Sequence, residues 1–311
     1  MCGIVGLYLK DAALAPRLGA LFAPMLLAMG GRGPDSAGFA IYGDEVGEGM
    51  LKYTLQNEDA ATDWQALASA FERDLGTSLD WFRNAGAAVF RTPADEHAVR
   101  QWLVHHAPGT QLMSVGRSIE ILKGVGHPRL VAERYGLTGM QGTHIIGHTR
   151  MATESAVTMA GSHPFTTGHD LCLVHNGSLS NHNRLRSVLQ REGLRFETEN
   201  DSEVAAGYLT WRLRRGDSLT AALEGALDDL DGFFTFAVGT RDGFAVLRDP
   251  IACKPAVLAE TAEYVAMASE YRALAKLPGI AGARVWEPEP ARVYVWERGA
   301  AEAAPFAETG S

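Results

Sequence analysis

Met1-Cys2-Gly3-Ile4-Val5-Gly6-Leu7-Tyr8-Leu9 opens the chain. Its apolar run, broken only by the small Gly3 and Gly6, reads as a buried strand. Chain starts are ordinarily loose, so a start that reads as core is unusual. Cys2 suggests a reason. Removal of Met1, which a small second side chain permits, would leave Cys2 with a free α-amino group beside its thiol. With a reference pKa of about 7.7–8, that amine is partly unprotonated near neutrality and can accept the thiol proton. One residue would then carry both nucleophile and base. Taken alone, a second-position cysteine present by chance is the plainer reading, and the rest of the chain decides between the two.

The 311 residues suffice for one large domain, or one domain with a substantial insertion. Hydrophobic residues make up 46% and charged residues 21%, an ordinary globular mixture. A formal net charge of −9 argues against a nucleic-acid-binding face, which would favour a basic surface. No apolar run reads as a membrane span, since Leu21–Met29 is too short, and no signal peptide is visible. Three cysteines, Cys2, Cys172 and Cys253, cannot build a disulfide framework, so a cytoplasmic location is expected.

In order, Leu14–Met29 has helical spacing and stops at Gly30-Gly31. Arg32-Gly33-Pro34-Asp35-Ser36-Ala37-Gly38 is a turn-rich lead into a strand at Phe39–Tyr42. Residues 44–142 differ in texture, with helices expected at Trp64–Leu75 and Asp95–Val104 and a βα segment near Leu112–Leu122. Gly124-Val125-Gly126 lacks the third glycine of a dinucleotide loop and reads as having no strong strand before it, so it is rejected as one. His144–Arg150 reads as a buried strand ending in arginine, followed by a small, polar loop at Met151–Gly161. Ser162-His163-Pro164-Phe165 precedes a strand at Leu171–His175 that runs into Asn176-Gly177. Helices follow at Asn181–Arg191, from Asn200-Asp201-Ser202-Glu203 to Arg215, and at Leu219–Leu230. Strands are expected at Phe233–Val238, Phe244–Leu247, Ala256–Leu258, Val265–Ala268 and Arg292–Trp296, and residues 301–311 read as a loose tail. The histidines between His144 and His182 follow strand ends and loops rather than ligand spacings, so no metal is expected. Cys172 reads as a core thiol and Cys253 as inert packing.

The pieces MCGIVG, RGPDSAG, GHTRMAT, HPF, HNGSLSNH and NDSE, in this order, resemble the class II glutamine amidotransferases, enzymes of the N-terminal-nucleophile hydrolase fold. RDPIACKPAVL and YVAMASE resemble later strands of the same domain. The resemblance implies an α+β fold, a four-layer αββα sandwich over 1–300 with a long insertion at about 44–142. It also implies that Cys2 attacks the side-chain amide of L-glutamine. Asn176, through its amide, and Gly177, through its backbone N–H, would stabilise the oxyanion, a role for preorganised donors. Arg150 offers a planar fork for the substrate carboxylate, with Thr153 beside it. Asp201 would pair with the α-ammonium, its rival role being to cap the following helix. Arg32 and His163 complete the substrate-binding set.

Many members of this family continue into a fused synthase, whereas this chain reads as the amidohydrolase part alone, so the ammonia acceptor is expected on another polypeptide. Chains of this length with HPF followed by HNG resemble the amidotransferase-type subunits of glutamate-synthase-like complexes, of the N-methylglutamate synthase type. The resemblance implies a hetero-oligomer in which partner subunits carry flavin and iron–sulfur clusters and this chain carries no cofactor. The alternative is a catalytically silent scaffold subunit of the same complex. Neither nucleic acid nor membrane is an expected partner.

Overall fold

The computed structural model describes residues 2–59, 61–152 and 157–298. The first stretch holds β1 (Gly3–Leu9), α1 (Leu18–Ala28) and β2 (Ser36–Tyr42). Then come β3 (Leu51–Asn57), α2 (Trp64–Leu75), β4 (Asp80–Asn84), β5 (Ala87–Thr92), α3 (Glu96–His106), β6 (Thr110–Gly116), β7 (Ile119–Val125) and α4 (Pro128–Arg134). The second half begins with β8 (His144–Arg150) and β9 (Cys172–Leu179), then α5 (His182–Arg191), α6 (Asp201–Arg214) and α7 (Leu219–Asp229). It closes with β10 (Gly232–Gly239), β11 (Gly243–Arg248), β12 (Val257–Glu260), β13 (Tyr264–Ala268), β14 (Arg284–Trp286) and β15 (Val293–Glu297).

Strand β1 lies at the centre of a seven-stranded antiparallel sheet ordered β14-β12-β13-β1-β8-β2-β7. A second sheet, β15-β11-β10-β9, stacks on it. Side-chain alternation along β1 accounts for both contacts. Val5, Leu7 and Leu9 enter an outer core with Leu18, Phe22 and Leu26 of α1. Ile4 and Tyr8 enter the core between the sheets, with Cys172 and Val174 of β9 and Phe244 and Val246 of β11. Beyond the second sheet, Leu189, Val204, Leu209 and Leu223 of α5–α7 pack on Phe234 and Phe236. The layers therefore run helix, sheet, sheet, helix, the expected α+β sandwich. The sheets approach so closely at Gly6 that a Cβ there would lie 2.7 Å from the Phe244 ring.

Four expectations need correction, the fourth at Cys253. The helix foreseen at Leu14–Met29 is broken into a 3-10 turn at Ala12–Arg17, α1, and a 3-10 turn at Met29–Gly31. Pro16 disfavours α conformation at Ala15, which delays the start of α1. The whole stretch Ala12–Gly31 is, by length and composition, apolar enough to cross a membrane, although no such run was expected. Its Leu18, Phe22, Met25, Leu26 and Met29 are buried in the outer core, which accounts for that composition. Residues Leu112–Leu122, expected as a βα segment, form the hairpin β6–β7. Its turn is closed from far away: the buried Asp170 carboxylate accepts the backbone N–H groups of Arg117, Ser118 and Ile119 at 2.7–3.0 Å.

Within 44–142, β3 to β6 make a third sheet, ordered β4-β5-β3-β6. With α2 and α3 it has its own core, including Tyr53, Phe71, Phe90 and Trp102. Strand β7 instead joins the main sheet beside β2. Cys172 is fully buried, whereas Cys253 is exposed rather than packed.

Candidate active site

The start of the chain is held at its backbone. Gly3 pairs with Thr149 of β8, and a Cβ on Gly3 would lie 2.8 Å from Met29. Thr149 Oγ1 donates to Met29 O at 3.0 Å, so β8 and the turn after α1 close on the same point. The Cys2 carbonyl accepts from Arg32 Nε at 2.9 Å and Asn176 Nδ2 at 3.3 Å. Ile4 N donates to Ser269 Oγ at 2.9 Å, and Ser269 N returns a bond to Ile4 O at 2.9 Å. Cys2 itself is part-exposed.

Arg32 reaches from the Cys2 carbonyl to Glu270, with Nη1 2.6 Å from Oε1. That hydrogen bond, with the charge of Arg272 beside it, holds the Glu270 carboxyl below its usual range. Three residues on, Asp35 Oδ2 accepts the Ala152 N–H at 2.7 Å, and Asp35 N donates to Arg150 O at 3.0 Å. The RGPDS stretch thus ties the chain start to the end of β8.

Asn176 lies on β9 opposite Thr235 and is buried. His148 Nε2 and Asn176 Oδ1 are 3.0 Å apart. An amide oxygen only accepts, so Nε2 carries the proton. Burial pushes His148 down to about 3, which keeps its ring neutral. This bond turns Asn176 Nδ2 toward Cys2, where its contacts to Cys2 O (3.3 Å) and Ser269 Oγ (3.4 Å) are long. Weakly engaged N–H groups placed there can turn to an oxyanion forming at Cys2.

Gly177 follows at φ +153°, and a Cβ there would fall 1.9 Å from Phe233 O. Only glycine fits. His163 packs its ring on His148, with centroids 4.1 Å apart, and on Phe165 at 4.9 Å. No described residue hydrogen-bonds either His163 nitrogen. Burial, with His148 and His175 beside it, holds His163 well below its ordinary value.

Arg150 ends β8 with Nη1 on Gly161 O at 3.1 Å, and no described carboxylate takes its remaining donors. The helix cap belongs to Asn200, whose side chain accepts from Ser202 N at 2.9 Å. Asp201 instead accepts the Leu179 N–H through Oδ2 at 2.9 Å and the Ser202 hydroxyl through Oδ1 at 3.2 Å. Its carboxylate is 21% exposed and lies 3.8 Å from His175 Nδ1. Thr153 lies outside the described residues. Cys2, Arg32 and Asn176 are therefore in direct contact, Gly177 adjoins Asn176, and His163 stands behind His148.

Sequence reading passed over His148, Ser269 and Glu270 as individual site residues. All three sit in quoted motifs, His148 in GHTRMAT and the other two in YVAMASE, but their work is done through β-sheet neighbours that no local spacing reveals.

Residues 148–276 match the sequence pattern of the glutamine amidotransferase domain. Over 96% of its length the chain is 56% identical to the glutamine amidotransferase-like protein GlxB of Rhizobium meliloti, covering 98% of that protein. It is 33% identical, over 94% of this chain and 99% of the other, to a putative glutamine amidotransferase of Methanothermobacter thermautotrophicus. Among solved structures, the B. subtilis glutamine phosphoribosylpyrophosphate amidotransferase aligns with 95% of this chain at a TM-score of 0.59 and 20% identity. The alignment spans 47% of that larger enzyme and concerns the fold.

Proposed function

Because the chain belongs to the class II glutamine amidotransferase family, we propose that it hydrolyses L-glutamine to glutamate and ammonia through a Cys2 thioester. In this reading Met1 is removed, and the α-amine of Cys2 takes the proton from its own thiol. Sulfur attacks the side-chain carbonyl carbon of glutamine, and the carbonyl electron pair moves onto oxygen. Asn176 Nδ2 and the Gly177 N–H receive that oxyanion. The protonated amine then gives its proton to the leaving nitrogen, the C–N bond breaks, and ammonia departs. Water, deprotonated by the same amine, cleaves the thioester and restores the thiol. Arg150 and Thr153 hold the substrate carboxylate, and Asp201 the ammonium. His163 backs His148, and Arg32 fixes the position of Cys2.

The observation that supports this reading is the Asn176 amide, turned by neutral His148 toward the first nucleophile-bearing residue of the chain. The ammonia goes to a glutamate-synthase-like partner, in a complex of the N-methylglutamate synthase type whose other subunits carry flavin and iron–sulfur clusters.

The test is the intact mass of the purified chain before and after treatment with 6-diazo-5-oxo-L-norleucine, an electrophilic glutamine analogue. The expected result is a chain lacking Met1 that gains one adduct, absent from Cys2→Ala. A chain that keeps Met1 and gains no adduct overturns the hydrolytic reading and leaves a silent scaffold.

A further inference from the structure

A cavity of about 450 Å³ opens between the inserted sheet and the helical side of the second sheet. Its walls come from β6, the start of α3, the 165–169 loop and the 193–198 segment, and neither Cys2 nor Asn176 lines it. Met113, Val115, Phe165 and Leu194 supply apolar wall, and the volume falls within the range of small-molecule sites, about 300–1,000 Å³.

Lys123 of β7 also lines this cavity although the residue is only 6% exposed. Its Nζ lies 4.8 Å from the Phe165 ring centroid. No described residue accepts a hydrogen bond from Nζ, and no described carboxylate lies within ion-pair distance. Glu203, the strongest opposing charge, is already engaged, with Oε1 on Glu197 N and Oε2 on the Thr198 N–H and hydroxyl, at 2.7–2.8 Å. Proteins rarely keep a buried ammonium with only an aromatic face beside it, because desolvation is then barely offset. Of the other acidic groups on the lining, Glu96 and Glu197 are paired with Arg100, Glu96 also meets His169, and Asp95 caps α3, whereas the exposed Arg195 has no described ionic partner.

We propose that this cavity is a second binding site, separate from the Cys2 pocket, for a small molecule with an apolar body and a carboxylate, the carboxylate pairing with Lys123. The inference does not depend on the glutaminase reading. Nothing in it requires Cys2 to react. Burial pulls Lys123 down to about 8, so an arriving anion should restore its proton affinity. Binding at pH 8 should therefore take up as much as about half a proton per ligand.

The experiment is isothermal titration calorimetry of butyrate, hexanoate, glutarate and inorganic phosphate, in buffers of different ionisation enthalpy. It uses the full-length Cys2→Ala chain saturated with L-glutamine, so that the catalytic pocket gives no signal. A carboxylate should bind with proton uptake at pH 8, and Lys123→Met should weaken it at least tenfold without lowering the melting temperature. Should Lys123→Met misfold, the unmodified sequence gives the same answer by amine acylation at pH 8 read by peptide mass. The chain has only five lysines, and the carboxylate should protect Lys123 alone. Equal affinity with and without Lys123, preference for phosphate, or no binding by any probe would overturn the proposal.

Discussion

Replacing His148 with leucine separates orientation from chemistry at this site. Asn176 Oδ1 has a single described donor, His148 Nε2 at 3.0 Å, while Nδ2 makes only contacts of 3.3 and 3.4 Å. The orientation of the amide thus rests mainly on one buried, neutral hydrogen bond, worth about 0.5–1.5 kcal/mol. That energy corresponds to a roughly 2- to 13-fold bias toward the productive orientation. His148→Leu should accordingly lower kcat for ammonia release by at most that factor. KM should change little, because Arg150 and Asp201 are untouched. Asn176→Ala removes the donor itself and should cost on the order of 10²–10³ in kcat. If His148 acts only through Asn176, the double variant should be no slower than Asn176→Ala alone. The pH profile should keep its shape in His148→Leu, since burial holds this ring neutral down to about pH 3. The assay is ammonia release at saturating and limiting L-glutamine for the parent chain, both single variants and the double variant. Multiplicative losses in the double variant, or a single His148→Leu loss as deep as that of Asn176→Ala, would refute the argument and make His148 a participant in the chemistry.

Other consequences are simpler to read. Gly177→Ala forces a Cβ to within 1.9 Å of Phe233 O at φ +153°, so β9 and β10 must part. It should lower the melting temperature by roughly 5 °C or more and abolish ammonia release. Glu96 is held at about 2, against an ordinary 4.5, first by its hydrogen bond from His169 and then by Arg100. A depressed carboxyl stabilises the fold above its unfolded pKa and loses that contribution as pH falls through its folded pKa. Glu96→Gln should therefore melt lower than the parent at pH 6, by on the order of 1 kcal/mol after solvent screening. The two melting curves should converge as pH drops from about 4.5 toward 2. A gap that persists at low pH would show that packing, not charge, is responsible.

What could be read from the sequence, and what could not, divides along the range of the interactions. β8 has the expected bounds, His144–Arg150, because alternation and the flanking polar residues are local signals. The helix at Trp64–Leu75 is equally local, with Asp63 accepting from Ala66 N at its start. The β6–β7 turn is not legible locally because the carboxylate that closes it belongs to Asp170, more than fifty residues away. The candidate active site shows both cases. The proposed hydrolysis asks for a nucleophile, an oxyanion donor and a carboxylate-binding arginine, and the family resemblance of their motifs proposes Cys2, Asn176 and Arg150 for these roles. The amide of Asn176 must also be told which way to face, and several histidines in the chain could have done so. His148 does it because β1 pairs with β8 at Ile4 and His148, while Asn176 comes from the second sheet stacked on the first. That register depends on where Gly6 lets the two sheets approach and on where Phe244 fills the space between them. The orienting residue is therefore a property of sheet packing, and any change that slides one sheet on the other should disturb Asn176 before it disturbs Cys2.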